Sequence, residues 1–300
     1  ASDALAFRLS RADGEQEPRS LRLTLPPGFG AAVGSVETCP EAAIAAAEAQ
    51  TPAAVPDCPA GAQVGEMAAS VGAGTEPLHL GGGKMYLAGP YQGASFSLVG
   101  GLPIELGKAD LGALSIHLPL RLDPHDGHLT IAGGLPPSPA GLALNLRQLT
   151  MKIDRHGFIV NPTSCKASVA GGQIDGDEGA TATVSSSLGI VGCRQLPFRP
   201  RLRMAVLQGP NATRHGGHPT VRMMLSRPAG NANFAGTAID FPGTEQLDPG
   251  RLAATCRVAV SACPSSSIYG HVKALSPLFA KPLTGPVYLH RSKGRLPELV

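Results

Sequence analysis

Tryptophan is absent from this chain of 300 residues, and the other aromatics amount to eight Phe and four Tyr. A core must therefore be assembled from Leu, Val, Ile, Ala and Met. A stacking platform for single-stranded nucleic acid has little to draw on, so no nucleic-acid partner is expected. Apolar runs never reach the ~18 residues of a membrane-crossing helix, so no transmembrane segment is expected. No signal peptide is visible, and Ala1-Ser2-Asp3-Ala4 reads equally as a start left by signal removal or as an arbitrary boundary. A GxSxG elbow, an HExxH pair, a phosphate loop and a GxGxxG fingerprint are all missing. No nucleophile–base constellation can be named, so the expectation is no enzyme, no catalytic residue and no cofactor. Gly81-Gly82-Gly83-Lys84 comes nearest to a phosphate loop. It lacks the spaced first glycine and the following Ser or Thr, and reads as a flexible hairpin turn.

Glycine (38) and proline (28) are plentiful, without a collagen period. Between them lie short alternating apolar runs: Leu5–Leu9 and Leu21–Leu25, then segments near 64–71, 84–87, 95–99, 114–122, 129–131, 142–153, 158–160, 180–184, 188–191 and 202–207. Short strands between regular turn signals predict β-sandwich architecture. One helix is expected, over residues 41–49 (EAAIAAAEA), with Pro40 just before or inside its first turn.

The chain repeats itself. Leu9-Ser10-Arg11 returns as Leu225-Ser226-Arg227, and Pro27-Gly28 as Pro242-Gly243. Cys39 returns as Cys256, and Cys58-Pro59 with Gly65 as Cys263-Pro264 with Gly270. Pro77-Leu78 followed by Met85-Tyr86-Leu87 returns as Pro282-Leu283 followed by Val287-Tyr288-Leu289. All anchors keep their order at an offset near 205–216. This divides the chain into domain A (1–100, with the helix), domain B (101–200) and a second, incomplete copy of A (201–300).

Six cysteines without a CxxC pair or zinc-finger histidine spacing predict disulfides and an oxidising compartment. If the copies share a fold, Cys39–Cys58 and Cys256–Cys263 are equivalent bridges, and Cys165–Cys193 remains for domain B. A bridge closing a loop of about 20 residues is worth roughly 3 kcal/mol, and the shorter loop should be worth less.

The pattern Leu25-Pro26-Pro27-Gly28, Cys39, Cys58-Pro59, Gly65 and Pro282-Leu283-Thr284-Gly285-Pro286-Val287-Tyr288-Leu289 resembles secreted tandem-repeat β-domain proteins of high-GC actinobacteria, an uncharacterised group. Asn161-Pro162-Thr163-Ser164-Cys165, Gly192-Cys193 and Leu196-Pro197-Phe198 carry the same resemblance. It implies tandem β-domains and an extracellular or cell-surface location, and implies no activity. The departure is the inserted Gly81-Gly82-Gly83 in the first copy.

Charge is unevenly spread: net −5 over residues 1–100, zero over 101–200 and +8 over 201–300. The split reads either as a drift of solvated surface charge or as opposed patches that steer head-to-tail association between copies. Polar clusters read as turns before they read as sites. His125, Asp126 and His128 lie too close together to converge on a metal, as do His215 and His218. Asp175, Asp177 and Glu178 alternate like part of a calcium loop but lack its terminal glutamate. Asn211-Ala212-Thr213 is a glycosylation sequon, and Lys273 to Arg295 form a basic stretch that reads as a solvated face.

These readings converge on an all-β protein of tandem, disulfide-stapled, Ig-like β-sandwich domains with one short helix. The expected role is a secreted structural subunit of a cell surface or filament. Copies would self-associate head to tail, with β-strand complementation as a route. A surface adhesin or carbohydrate-binding module, with a surface glycan as partner, is the alternative.

Overall fold

The computed structural model describes residues 4–107, 109–123, 127–135, 144–207, 217, 219–240, 249–276, 281–291 and 297–300. They form two compact units, one of Ala1–Gly30 with Val36–Ala235 and one of Ala31–Ser35 with Gly236–Val300. The strands are, in order, β1 (Leu5–Ser10), β2 (Pro18–Leu25), β3 (Gly30–Ala31), β4 (Gln63–Val71), β5 (Leu78–Ala88) and β6 (Phe96–Leu106). Then come β7 (Ala109–Leu122), β8 (Leu129–Gly134), β9 (Leu146–Ile153), β10 (Ile159–Val160), β11 (Ser168–Gly176) and β12 (Thr181–Leu188). Last are β13 (Arg201–Leu207), β14 (Thr220–Ser226), β15 (Ile268–Ala274), β16 (Leu283–His290) and β17 (Glu298–Leu299). The fold is all-β and disulfide-stapled.

In the first unit ten strands form one antiparallel sheet in the order β1-β9-β4-β5-β6-β7-β8-β2-β11-β12. The sheet curls: β1 and β2, seven places apart in the strand order, contribute Phe7 and Leu21 to the same interior as Met85, Leu98, Leu118 and Met151. Alternation drives this, since every second residue of these strands is apolar and needs cover. Leu87, Leu102, Leu118 and Leu149 are wholly buried, each stabilising the fold by about 1.5–3 kcal/mol. The apolar space left at the centre is only about 20 Å³. That is a packed core and not a ligand chamber.

Helix α1 (Glu41–Glu48) lies in the first unit. Pro40 is its N-cap and not its first residue, with extended backbone (φ −63°, ψ 137°). Ile44 and Ala47 are its buried residues, and Ile44 joins Cys39, Ala62, Tyr86, Ala88 and Val99 in one cluster. A second helical turn, α2 (Pro249–Leu252), belongs to the other unit.

The boundaries expected at residues 100 and 200 are corrected by the sheet. β6 runs through residue 100, and β2 is flanked by β8 and β11. Strands of residues 1–100 and 101–200 therefore build one core, because β1 finds its partner in β9 and β2 finds its partners in β8 and β11, all in the second segment. The division observed falls near residue 235.

Two local expectations also change. The Gly81–Gly83 run is not a hairpin turn: it lies inside β5, opposite a register slip between Met67 and Ala69 of β4. A Cβ at Gly83 would stand 2.6 Å from the Met67 carbonyl oxygen, so glycine lets the strands close up there. β11, with its Gly171-Gly172 pair, carries little alternation and was not anticipated, yet it bonds to both β2 and β12.

Candidate functional site

The two cysteine-anchored segments that echo each other in sequence fold into two strand pairs of the same local design. In the first, Cys39 is bridged to Cys58, and the Cys39 N–H donates to the Leu87 carbonyl at 2.8 Å. A helical turn, Ala60–Ala62, follows, with the Ala62 N–H donating to Pro59 at 2.9 Å. β4 and β5 then pair Gln63 with Tyr86 and Gly65 with Met85, with a register slip between the two pairs.

The second pair repeats this piece by piece. Cys256 is bridged to Cys263, and the Cys256 N–H donates to the Leu289 carbonyl at 2.8 Å. The turn Ser265–Ser267 follows, with the Ser267 N–H donating to Pro264 at 3.0 Å. β15 and β16 pair Ile268 with Tyr288 and Gly270 with Val287, slipping at the same place. On the far side of the second strand, Leu87 faces Leu98 and Leu289 faces Leu299.

The pairs differ at two points. The bridged cysteines are 19 residues apart in the first and 7 in the second. Beside the cysteine, the parallel bridge partner is Ala88 in the first and His290 in the second. The third disulfide, Cys165–Cys193, spans 28 residues in the first unit.

The clusters singled out in the sequence behave as turns. Asp175 accepts hydrogen bonds from Ser20 Oγ (2.6 Å), Gln173 Nε2 (2.9 Å) and Thr181 Oγ1 (3.1 Å). These donors hold its carboxyl below the usual carboxylate range, the Gln173 amide foremost. Asp177 accepts from the Glu17 N–H at 3.1 Å, so the two carboxylates tie the β11–β12 hairpin to β2, at Ser20, and to the residue just before it, Glu17. At the other turn, the Asp123 N–H donates to the His128 carbonyl at 2.9 Å. His125, Asp126, His215, His218, the Asn211 sequon and Arg295 lie outside the described residues.

Comparison with protein-family models, with curated proteins and with solved structures finds no match to the chain. The site must therefore be read from its own chemistry.

Two histidines that carry chemistry had no spacing signal. His117 on β7 stacks on Tyr91 with centroids 3.5 Å apart, and its Nε2 donates to Ser97 Oγ at 3.1 Å. Ser97 Oγ is already donating to the Gly89 carbonyl, which assigns the proton of that contact to the ring. Burial pulls His117 below the ordinary imidazole range, opposed by the charge of Glu48. His290, at the second cysteine pair, belongs to the one described group of three residues with metal-ligand chemistry, Cys256, Cys263 and His290. Only alignment of the copies, with His290 in the place of Ala88, draws attention to it.

One apolar surface also stands out. β13 and β14 pair Leu202 with Leu225, Met204 with Met223 and Val206 with Val221, so these six share a face. Arg201, Arg203 and Arg222 lie on the other face. By the offset that matches Leu9 to Leu225, β14 is the counterpart of β1, and Met223 that of Phe7. Leu9 is buried and its counterpart Leu225 half-buried, whereas Phe7 is half-buried and its counterpart Met223 is 39% exposed, with Met204 on the paired strand 50% exposed.

Proposed function

We propose that the protein is an extracellular structural component, a non-enzymatic subunit of a cell surface or filament whose copies associate head to tail through added β-strands. The observation that carries this reading is the β13–β14 hairpin. Its apolar face has the pattern that β1 turns into the curled sheet, yet five of its six side chains, Leu202, Met204, Val206, Val221 and Met223, are exposed. A paired strand ribbon with one apolar face is a template for a further strand layer. The charge split of −5 against +8 between the first and last hundred residues gives such contacts a direction. Three disulfides fit an oxidising compartment. No helix among the described residues is long and apolar enough to cross a membrane.

Analytical ultracentrifugation across salt and protein concentration tests the reading. The expected result is concentration-dependent association that weakens with salt and is lost in Met223→Glu. A chain that stays monomeric at low salt and high concentration overturns it, as does association unaffected by Met223→Glu. Electron microscopy of the associated material distinguishes filaments from closed particles.

A further inference from the structure

The geometry points to a redox-gated metal site: Cys256, Cys263 and His290 bind zinc(II) once an external dithiol has opened the Cys256–Cys263 bridge. Both sulfurs and a ring nitrogen of His290 lie within 4.8 Å of one another. Cys256 is 2% exposed, held beside His290 by its N–H bond to Leu289 and by the Arg291 N–H bond to its carbonyl at 2.9 Å. His290 Nε2 lies 2.8 Å from the Val258 carbonyl oxygen. That oxygen only accepts, so Nε2 carries the proton and Nδ1 holds a bare lone pair. Nδ1 is buried without a hydrogen-bond partner, which is costly unless something fills the place. A histidine whose second nitrogen donates to a backbone carbonyl is the form in which imidazole binds metals.

The same molecule contains the comparison. Cys39 and Cys58 occupy the equivalent backbone places, but there Ala88 stands where His290 stands, 1% exposed in the apolar cluster. That bridge is a staple with no third ligand. The second is the pair with an imidazole beside it.

The chemistry balances. A dithiol gives two electrons and two protons to the cystine, breaking its S–S bond to form two thiols, and departs as its own cyclic disulfide. Zinc(II) then displaces both thiol protons to solvent and takes two thiolates and one neutral imidazole. The complex is neutral, which suits a partly buried place, and its fourth position is left for water. Bonds of about 2.3 Å to sulfur and about 2.0 Å to nitrogen set the ligand atoms roughly 3.5–3.8 Å apart. Atoms already within 4.8 Å need only ångström-scale adjustment.

The test uses the full chain, reduced with limiting phosphine at neutral pH and probed with cobalt(II) and zinc(II) alone. The expected result is a tetrahedral thiolate–cobalt spectrum at one equivalent, displaced by zinc and absent from the oxidised chain. His290→Ala, which installs the residue of the first copy, should weaken binding at least ~10-fold. A second readout covers loss of fold on reduction: zinc should slow alkylation of Cys256 and Cys263, mapped by mass spectrometry, in the wild type and not in His290→Ala. Absence of zinc protection at these two cysteines overturns the proposal. So does a His290→Ala chain that binds cobalt as the wild type does.

Discussion

The two cysteine-anchored strand pairs are built to one plan and placed in different surroundings. Both hold a cysteine N–H against the carbonyl of a buried leucine, Leu87 or Leu289. Both slip by one residue at the start of the strand pairing. Around the first, α1 and β6 complete an apolar cluster, and β5 and β4 have partners on both edges. Around the second, the sheet has three strands, and Val272, Leu275 and Leu283 are exposed. The same local instructions thus yield a core in one place and a small stapled sheet in the other. Backbone hydrogen bonds and turn geometry are local, whereas burial is supplied by neighbours.

The largest expected effect separates the copies by what surrounds them. Leu87→Ala should destabilise the first unit by about 4 kcal/mol, because a leucine with no exposed surface leaves a cavity that the ten-stranded sheet cannot collapse. Leu289→Ala should cost its own unit about 2 kcal/mol, since a three-stranded sheet relaxes more readily. Denaturant titration followed by hydrogen exchange in each unit reads both values; equal costs would mean that surroundings do not distinguish the copies.

Removing the staples sharpens the comparison further. Replacing Cys39 and Cys58 by Ala should cost about 3 kcal/mol for a separation of 19, and replacing Cys256 and Cys263 about 2 kcal/mol for a separation of 7. Thermal melts of the two double variants should keep this order. A reversed order would show that the short bridge holds more than its loop.

The smallest effect is one of pH, at a corner the second unit does not have. The Asp175 carboxyl is lowered in the folded chain by its three side-chain donors. Its contribution is therefore complete above the unfolded carboxylate value, near 4, and is lost as pH falls below that towards the lowered folded value. Protection of the Thr181 and Ala182 amides, taken relative to their intrinsic exchange rates, should fall over that acid range, and Asp175→Asn should remove that pH dependence without affecting the β15–β16 pair.

Much of this was legible in the chain. Alternation in Leu5–Leu9, Leu21–Leu25 and Leu114–Leu122 marks strands because every second side chain must find cover. The Ala-rich stretch after Pro40 marks α1 for a local reason, that proline ends extended backbone where a helix starts. The ordered echoes from Cys39 to Tyr86 and from Cys256 to Tyr288 relate the bridges, since equivalent backbone places equivalent sulfurs alike.

Only the tertiary structure decided which strands share a sheet. β2 carries the same alternation whether it pairs with its neighbour in sequence or, as it does, with β8 and β11. Register between distant strands is set by the fit of whole faces and not by any one segment, so the expected boundary at residue 100 dissolves into a single curled sheet. His290 is the same lesson at one residue. Its place in sequence is unremarkable, and its chemistry comes from the fold, which sets its ring beside two sulfurs 27 and 34 positions earlier.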